Sequence, residues 1–180
     1  MRSFIIIFLL SPFISISQSN TQNKKTITSL PELITPFEKN NNTTATYHEA
    51  IDFYKNIAQR YPQLNMKEYG STDSGFPLHL MILSKSGDFD PISLKKSGKQ
   101  ILMVNNGIHP CEPCGVDASM LLLKDYLATP ELQQYLEHTV IVIIPLYNIG
   151  GALNRNSTTR ANQNGPKTYG FRGNAQNLDL

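Results

Sequence analysis

Cysteine is scarce: the 180 residues contain two, Cys111 and Cys114. So few thiols at such short spacing exclude the disulfide framework of a small secreted scaffold. Surplus charge is also lacking. Charged residues make up 17% of the chain and the formal net charge is +2, with lysines and arginines scattered along the sequence. That excludes the basic stripe of a nucleic-acid-binding protein, so nucleic acid is not expected as a partner. The apolar run at the start, Phe4 to Leu10, falls well below the ~20 residues that cross a bilayer, so it makes no stable membrane span. Preceded by Arg2 and followed by the small residues Ser15 and Ser17 before Gln18, it reads as a secretory signal peptide over residues 1–17. The expected location is secreted or periplasmic.

With 40% hydrophobic residues, the chain has ordinary globular composition and the length for one domain with a real core. Residues 18–45, rich in Asn, Thr, Ser and Lys and interrupted by Pro31 and Pro36, read as a linker or lead-in. Thr46 and Glu49 form a capping-box pattern ahead of Ala50, Ile51, Tyr54, Ile57, Ala58 and Tyr61, which recur at helical spacing up to Pro62. Met66–Gly70 and Leu78–Leu83 read as two strands joined by a turn. Residues 87–98 read as a surface loop, Ile101–Val104 as a buried strand, and Pro113 to Leu127 as a helix with Val116, Met120, Leu123 and Leu127 on one face. Another short helical piece runs from Pro130 through Leu136. Val140–Ile144, apolar without alternation, reads as a strand buried on both faces, which implies an α/β fold with a mixed, partly parallel central sheet covered by helices. Beyond Pro145 the chain turns rich in asparagine and glycine, a loop long enough to suggest function. It stops at Leu180 without a closing helix or strand, so a fragment of a larger domain is expected.

The stretch Asn105 to Gly115 puts an imidazole, a carboxylate and two thiols where a strand hands over to a helix. Ligands collect at such junctions, beyond the carboxyl ends of strands and near helix N-termini. His109 and Glu112 are spaced so that a turn entering a helix can aim both at one ion, as the short-segment ligands of catalytic zinc sites do. The same spacing also fits a surface histidine beside a helix-start glutamate. His48 and His79 stand alone and are assigned structural or surface roles. The two cysteines are expected to pack as small apolar residues; competition for metal or a redox role is the alternative.

Gly107-Ile108-His109-Pro110-Cys111-Glu112 resembles the metal-binding motif of the M14 family of zinc carboxypeptidases. Downstream, Ile144 to Gly151 is similar to that family's strand followed by Asn-Pro-Asp-Gly, with Ile149 and Gly150 in place of the proline and aspartate. Gly170 to Leu180 resembles the segment leading into its Asp-x-Asn-Arg motif. The resemblance covers residues 46–180 and implies the N-terminal part of a catalytic domain that binds Zn2+ and cuts at a peptide or protein C-terminus. It implies His109 and Glu112 as zinc ligands, Arg172 as the arginine that polarises the scissile carbonyl with Arg160 as the competing choice, and Asp179 as the carboxylate that accepts the free ring N–H of His109. The third zinc ligand, the substrate-binding Asn-Arg pair, the tyrosine and the general-base glutamate of the family would follow Leu180. Alternatives are a non-catalytic binding module of the same fold, a related zinc amide hydrolase, or a thiol redox protein.

Overall fold

The computed structural model describes residues 32–180. The proposed signal peptide and the first part of the lead-in lie outside the described residues. The remaining lead-in carries a short helix α1 (Pro36–Lys39), closed by a reciprocal capping box between Thr35 and Glu38. Helix α2 (Tyr47–Ala58) starts at the Thr46–Glu49 capping box and buries Ala50, Ile51, Phe53, Tyr54 and Ile57. Strands β1 (Leu64–Ser71) and β2 (Pro77–Leu83) form an antiparallel hairpin.

A short helix α3 (Pro91–Lys96) then interrupts the stretch that reads as loop in the sequence. Its cause is local. The Asp90 side chain accepts from the Ser93 N–H, and Pro91 sits at the first helical position, where its missing N–H costs nothing. Strand β3 (Gln100–Asn105) leads through the His109 turn into α4 (Cys114–Ala128). Helix α5 (Pro130–Gln133) and a 3-10 turn (Gln134–Glu137) return the chain to β4 (Thr139–Ile144), which is followed by α6 (Ile149–Leu153).

The four strands lie in the order β1-β2-β4-β3, with β2 and β4 antiparallel and β3 and β4 parallel. Sequence reasoning anticipates this mixed α/β architecture. On one face, Ala50, Tyr54 and Ile57 of α2 and Val116, Met120 and Leu123 of α4 pack with Met81, Leu83, Ile141 and Ile143. On the other, Ile82, Val140 and Val142 meet Leu94 of α3 and Phe89. β4 is therefore buried on both faces, as its unalternating sequence requires. β3 is not: Ile101, Leu102 and Met103 are 49, 53 and 59% exposed, because β3 is the edge strand of the described sheet and no described element covers its apolar side chains. Among the described residues no helix is long and apolar enough to cross a membrane.

The parallel pairing of β3 with β4 ends at Asn105 opposite Ile144. Both strands thus release their following turns at the same edge, and the site is built there.

Candidate functional site

The two turns are bonded to each other before any site residue is reached. Tyr147 N–H donates to Asn106 O at 2.8 Å and Asn148 N–H to Gly107 O at 3.1 Å. Gly107 has φ of +63°, and a Cβ there would lie 2.5 Å from the Leu146 side chain, so only glycine permits the contact. Asn148, 1% exposed, then fastens three segments at once. Its amide donates to Ile108 O at 3.2 Å and to Arg172 O at 3.0 Å, while its side-chain oxygen accepts the Gly151 N–H at 2.8 Å and caps α6. A second close approach, of Gly170 to Pro110, draws the following loop over the His109 turn; Gly170 N–H donates to Pro110 O at 3.1 Å.

That framework fixes His109. Its turn is closed by Glu112 N–H donating to His109 O at 2.8 Å, which leaves His109 Nδ1 3.9 Å from Glu112 Oε2. On the other side of the ring, Nε2 lies 3.2 Å from Asp179 Oδ1. A proton on Nε2 makes that contact a hydrogen bond and turns the Nδ1 lone pair toward Glu112. Asp179 is held in turn by Arg172, whose Nε donates to it at 3.0 Å. Arg172 first, and His109 after it, hold the Asp179 carboxyl below the usual carboxylate range, while Asp179 pushes the arginine further up.

Both candidate arginines converge on the same carboxylate. Arg172 Nη1 is 3.4 Å from His109 Nδ1 and 3.8 Å from Glu112 Oε1. Arg160 Nη1 is 3.0 Å from Glu112 Oε1 and also reaches Cys111 Sγ at 3.7 Å, with its Nε on Gln163 Oε1 at 3.2 Å. The structure thus brings His109, Glu112, Arg160, Arg172 and Asp179 into one cluster from three turns.

Tetrahedral coordination at the usual zinc–nitrogen and zinc–oxygen bond lengths separates two donors by about 3.4 Å. The Nδ1–Oε2 separation is within about half an ångström of that, and both donors are partly open to solvent. The pair fits a divalent cation as part of a ligand set. Among the described residues no group of three or more metal-ligating side chains comes together, so the set is incomplete within them.

The cysteines divide. Cys111 is buried, as small apolar packing requires, whereas Cys114, the first residue of α4, is exposed. The expectation that both pack holds for Cys111 alone, since the first turn of a helix presents its side chains around the whole rim. Two anchoring residues escaped sequence reasoning. Asp117 accepts from Thr44 Oγ1 and, at 3.1 Å, from Ala45 N–H. Arg155 donates to the carbonyls of Ala45 and Thr44 at 3.3 Å each. Together they clamp the lead-in against the helix that follows Glu112. An isolated Asp and an isolated Arg in unrelated segments carry no spacing signal that could have revealed the clamp.

The profile of the zinc carboxypeptidase family matches residues 50–180. No curated protein matches the chain. Among solved structures, carboxypeptidase A from Helicoverpa armigera superposes with a TM-score of 0.54 at 15% identity, over 67% of this chain and 31% of that one. A metallo-carboxypeptidase from Burkholderia cenocepacia gives 0.51 at 20% identity, over 71% of this chain and 30% of that one. Bovine thrombin-activatable fibrinolysis inhibitor, solved in complex with tick carboxypeptidase inhibitor, gives 0.50 at 19% identity, over 62% of this chain and 33% of that one. At such identities the likeness is one of fold, and the chain spans about a third of the length of these structures. With a matching profile over most of its length and a fold that agrees, the chain belongs to the zinc carboxypeptidase family.

Proposed function

We propose that residues 46–180 are the N-terminal part of the catalytic domain of an exported zinc metallocarboxypeptidase, with residues 1–17 as its signal peptide and 18–45 as its lead-in. The substrate is a peptide or protein C-terminus. One observation carries this reading. His109 is gripped through Nε2 by Asp179 at 3.2 Å while its Nδ1 stands 3.9 Å from the Glu112 carboxylate, the arrangement in which a carboxylate fixes the tautomer and raises the basicity of a metal-binding imidazole.

In this reading His109 and Glu112 hold zinc, with the remaining ligand and the general base supplied by residues after Leu180. Zinc, when bound, supplies Lewis acidity toward the scissile carbonyl and a water activated near neutral pH. Asp179 keeps the imidazole in the productive tautomer. Arg172, anchored through Nε to Asp179, keeps Nη1 directed at the donors and presents a fixed positive charge where the carbonyl oxygen becomes an oxyanion. Arg160 reaches the same carboxylate and is the competing donor. Neither guanidinium needs to reorganise as charge grows, which is what makes such donors effective.

The test uses the full-length protein. It is expected to bind one zinc per chain and to release the terminal residue of an N-blocked dipeptide with a free carboxylate, and to lose the activity on chelation. Zinc binding without hydrolysis of free-carboxylate peptides, but with hydrolysis of amides, would move the assignment to a related amide hydrolase. Absence of both would leave a binding module of the same fold.

A further inference from the structure

Between Arg172 and Asp179 the chain closes a turn on itself. Asn174 N–H donates to Leu178 O at 2.9 Å, and the Asn174 side-chain oxygen accepts the N–H groups of Gln176 at 3.0 Å and Leu178 at 2.9 Å. Asn177 N–H returns to Asn174 O at 2.9 Å, with φ of +60° at Asn177. These bonds fix the shape of the turn, but they do not place it on the rest of the molecule. Two attachments do. The turn rests on the start of α6, where a Cβ on Gly150 would come within 2.7 Å of the Ala175 Cβ. Ala175 N–H also donates to the carboxylate of Asp73 at 2.9 Å. Among the described residues, no other side chain from outside the segment hydrogen-bonds residues 174–178.

Asp73 comes from the tip of the β1–β2 hairpin, 102 residues away along the chain. That tip is tight. Thr72 donates to Phe76 O twice, through N–H at 2.9 Å and Oγ1 at 2.8 Å, and Gly75 N–H donates to Thr72 O at 3.0 Å. An aspartate in a turn ordinarily accepts from the backbone a few residues on. Asp88 and Asp90 do so, taking the N–H groups of Asp90 at 3.0 Å and Ser93 at 2.8 Å. The Asp73 carboxylate makes no bond within its own turn and takes the distant Ala175 N–H instead.

We propose that Asp73 is a positioning residue for the metal centre: by holding Ala175 it sets the turn between Arg172 and Asp179, and through it the grip of Asp179 on His109. The inference rests on the zinc carboxypeptidase reading. A bond from a backbone N–H to an ionised carboxylate is stronger than one between neutral groups, so one contact from a tight tip can hold an exposed turn in register. Asp73 bonds none of His109, Glu112, Arg160 or Arg172, which leaves the turn as its path to the site. Small displacements far from the reacting atoms are felt there, because ligands and donors act only at short range.

The experiment measures zinc affinity of the full-length protein against a chromophoric chelator, for the parent, Asp73→Ala, Asp179→Ala and the double variant. Asp73→Ala is expected to weaken binding about fivefold, less than the 10- to 100-fold typical of a residue that bonds a metal ligand directly. In the Asp179→Ala background the same substitution should change nothing, since its path to the metal is gone. Asp73→Asn keeps an oxygen that can accept the Ala175 N–H and should recover most of the loss. Parental affinity in Asp73→Ala, or an equal loss in both backgrounds, would overturn the proposal. Hydrolysis of an N-blocked dipeptide separates the two levels of inference. The expected pattern in affinity, in a protein that hydrolyses nothing, keeps the role of Asp73 and sinks the peptidase reading. Hydrolysis with parental zinc affinity in Asp73→Ala keeps the peptidase and sinks the role of Asp73. Should the protein bind no zinc, amide hydrogen exchange of residues 174–178 decides: faster exchange in Asp73→Ala than in the parent and Asp73→Asn supports the placement, and equal exchange in all three overturns it.

Discussion

Two histidine–carboxylate pairs occur in this molecule at the same separation. His79 Nε2 lies 3.2 Å from Glu68 Oε1, and His109 Nε2 lies 3.2 Å from Asp179 Oδ1. What distinguishes them is the second ring nitrogen. His79 is 3% exposed, packed beside Tyr47, and its buried Nδ1 has no hydrogen-bond partner. His109 Nδ1 faces Glu112 and Arg172 in a site open enough to admit an ion. A carboxylate at one ring nitrogen fixes a tautomer in both places; only a second donor and an entry path at the other nitrogen can make a metal site of it.

The largest effect expected from that difference is on metal affinity. His109→Ala and Glu112→Ala in the full-length protein should each weaken zinc binding by about a hundredfold or more, since a ligand contributes more than the tenfold to hundredfold typical of its supporting contacts. His79→Ala should leave the affinity unchanged. Zinc titration against a chromophoric chelator reads all three, and parental affinity in both site variants would remove the ligand assignment.

The next effect lies in turnover. Arg172→Ala should lower kcat on a blocked dipeptide on the order of 100-fold, with a much smaller change in KM, because its charge is needed as the oxyanion forms. Arg160→Ala is the control, measured with zinc content checked in each. If Arg160→Ala collapses while Arg172→Ala turns over at the parental rate, the oxyanion donor is Arg160 and Arg172 serves to anchor Asp179. Asp179→Ala, in turn, should weaken zinc binding by about 10- to 100-fold through loss of the imidazole's orientation. Glu68→Ala removes the corresponding carboxylate from His79 and should leave zinc binding untouched.

The same comparison shows where the sequence was informative. His109, Glu112 and Gly107 lie within six residues, so their chemistry is local and legible in a turn between an apolar run and a helix. The stretch Ile144 to Gly151 was legible only through its likeness to a family segment, and that it lies against the His109 turn follows from the parallel pairing of β3 with β4. The pairing of His79 with Glu68 depends on cross-strand register, which a lone histidine does not announce. Ile101–Val104 and Val140–Ile144 look alike as sequences, yet one forms the exposed edge and the other the buried centre, because burial depends on what packs against a strand rather than on the strand itself. Helix α3 was hidden for the opposite reason: one carboxylate cap and a proline set six residues, too few for a periodic signal.

The smallest effect expected is on stability, at His79. Removing the ring in His79→Ala takes away its packing against Tyr47 in a buried position, and the partly filled space should cost about 2 kcal/mol in denaturant unfolding. His79→Leu restores most of that volume and also removes a buried nitrogen that no group satisfies. The Glu68 carboxylate it leaves behind is 58% exposed and returns to water without a large desolvation penalty. Leucine should therefore recover stability to within about 1 kcal/mol of the parent or exceed it. A deficit in His79→Leu as large as in His79→Ala would mean that the Glu68 contact carries the stability. A fall in zinc affinity in either variant would mean that the two pairs are coupled, and that the environment of the second nitrogen does not separate them.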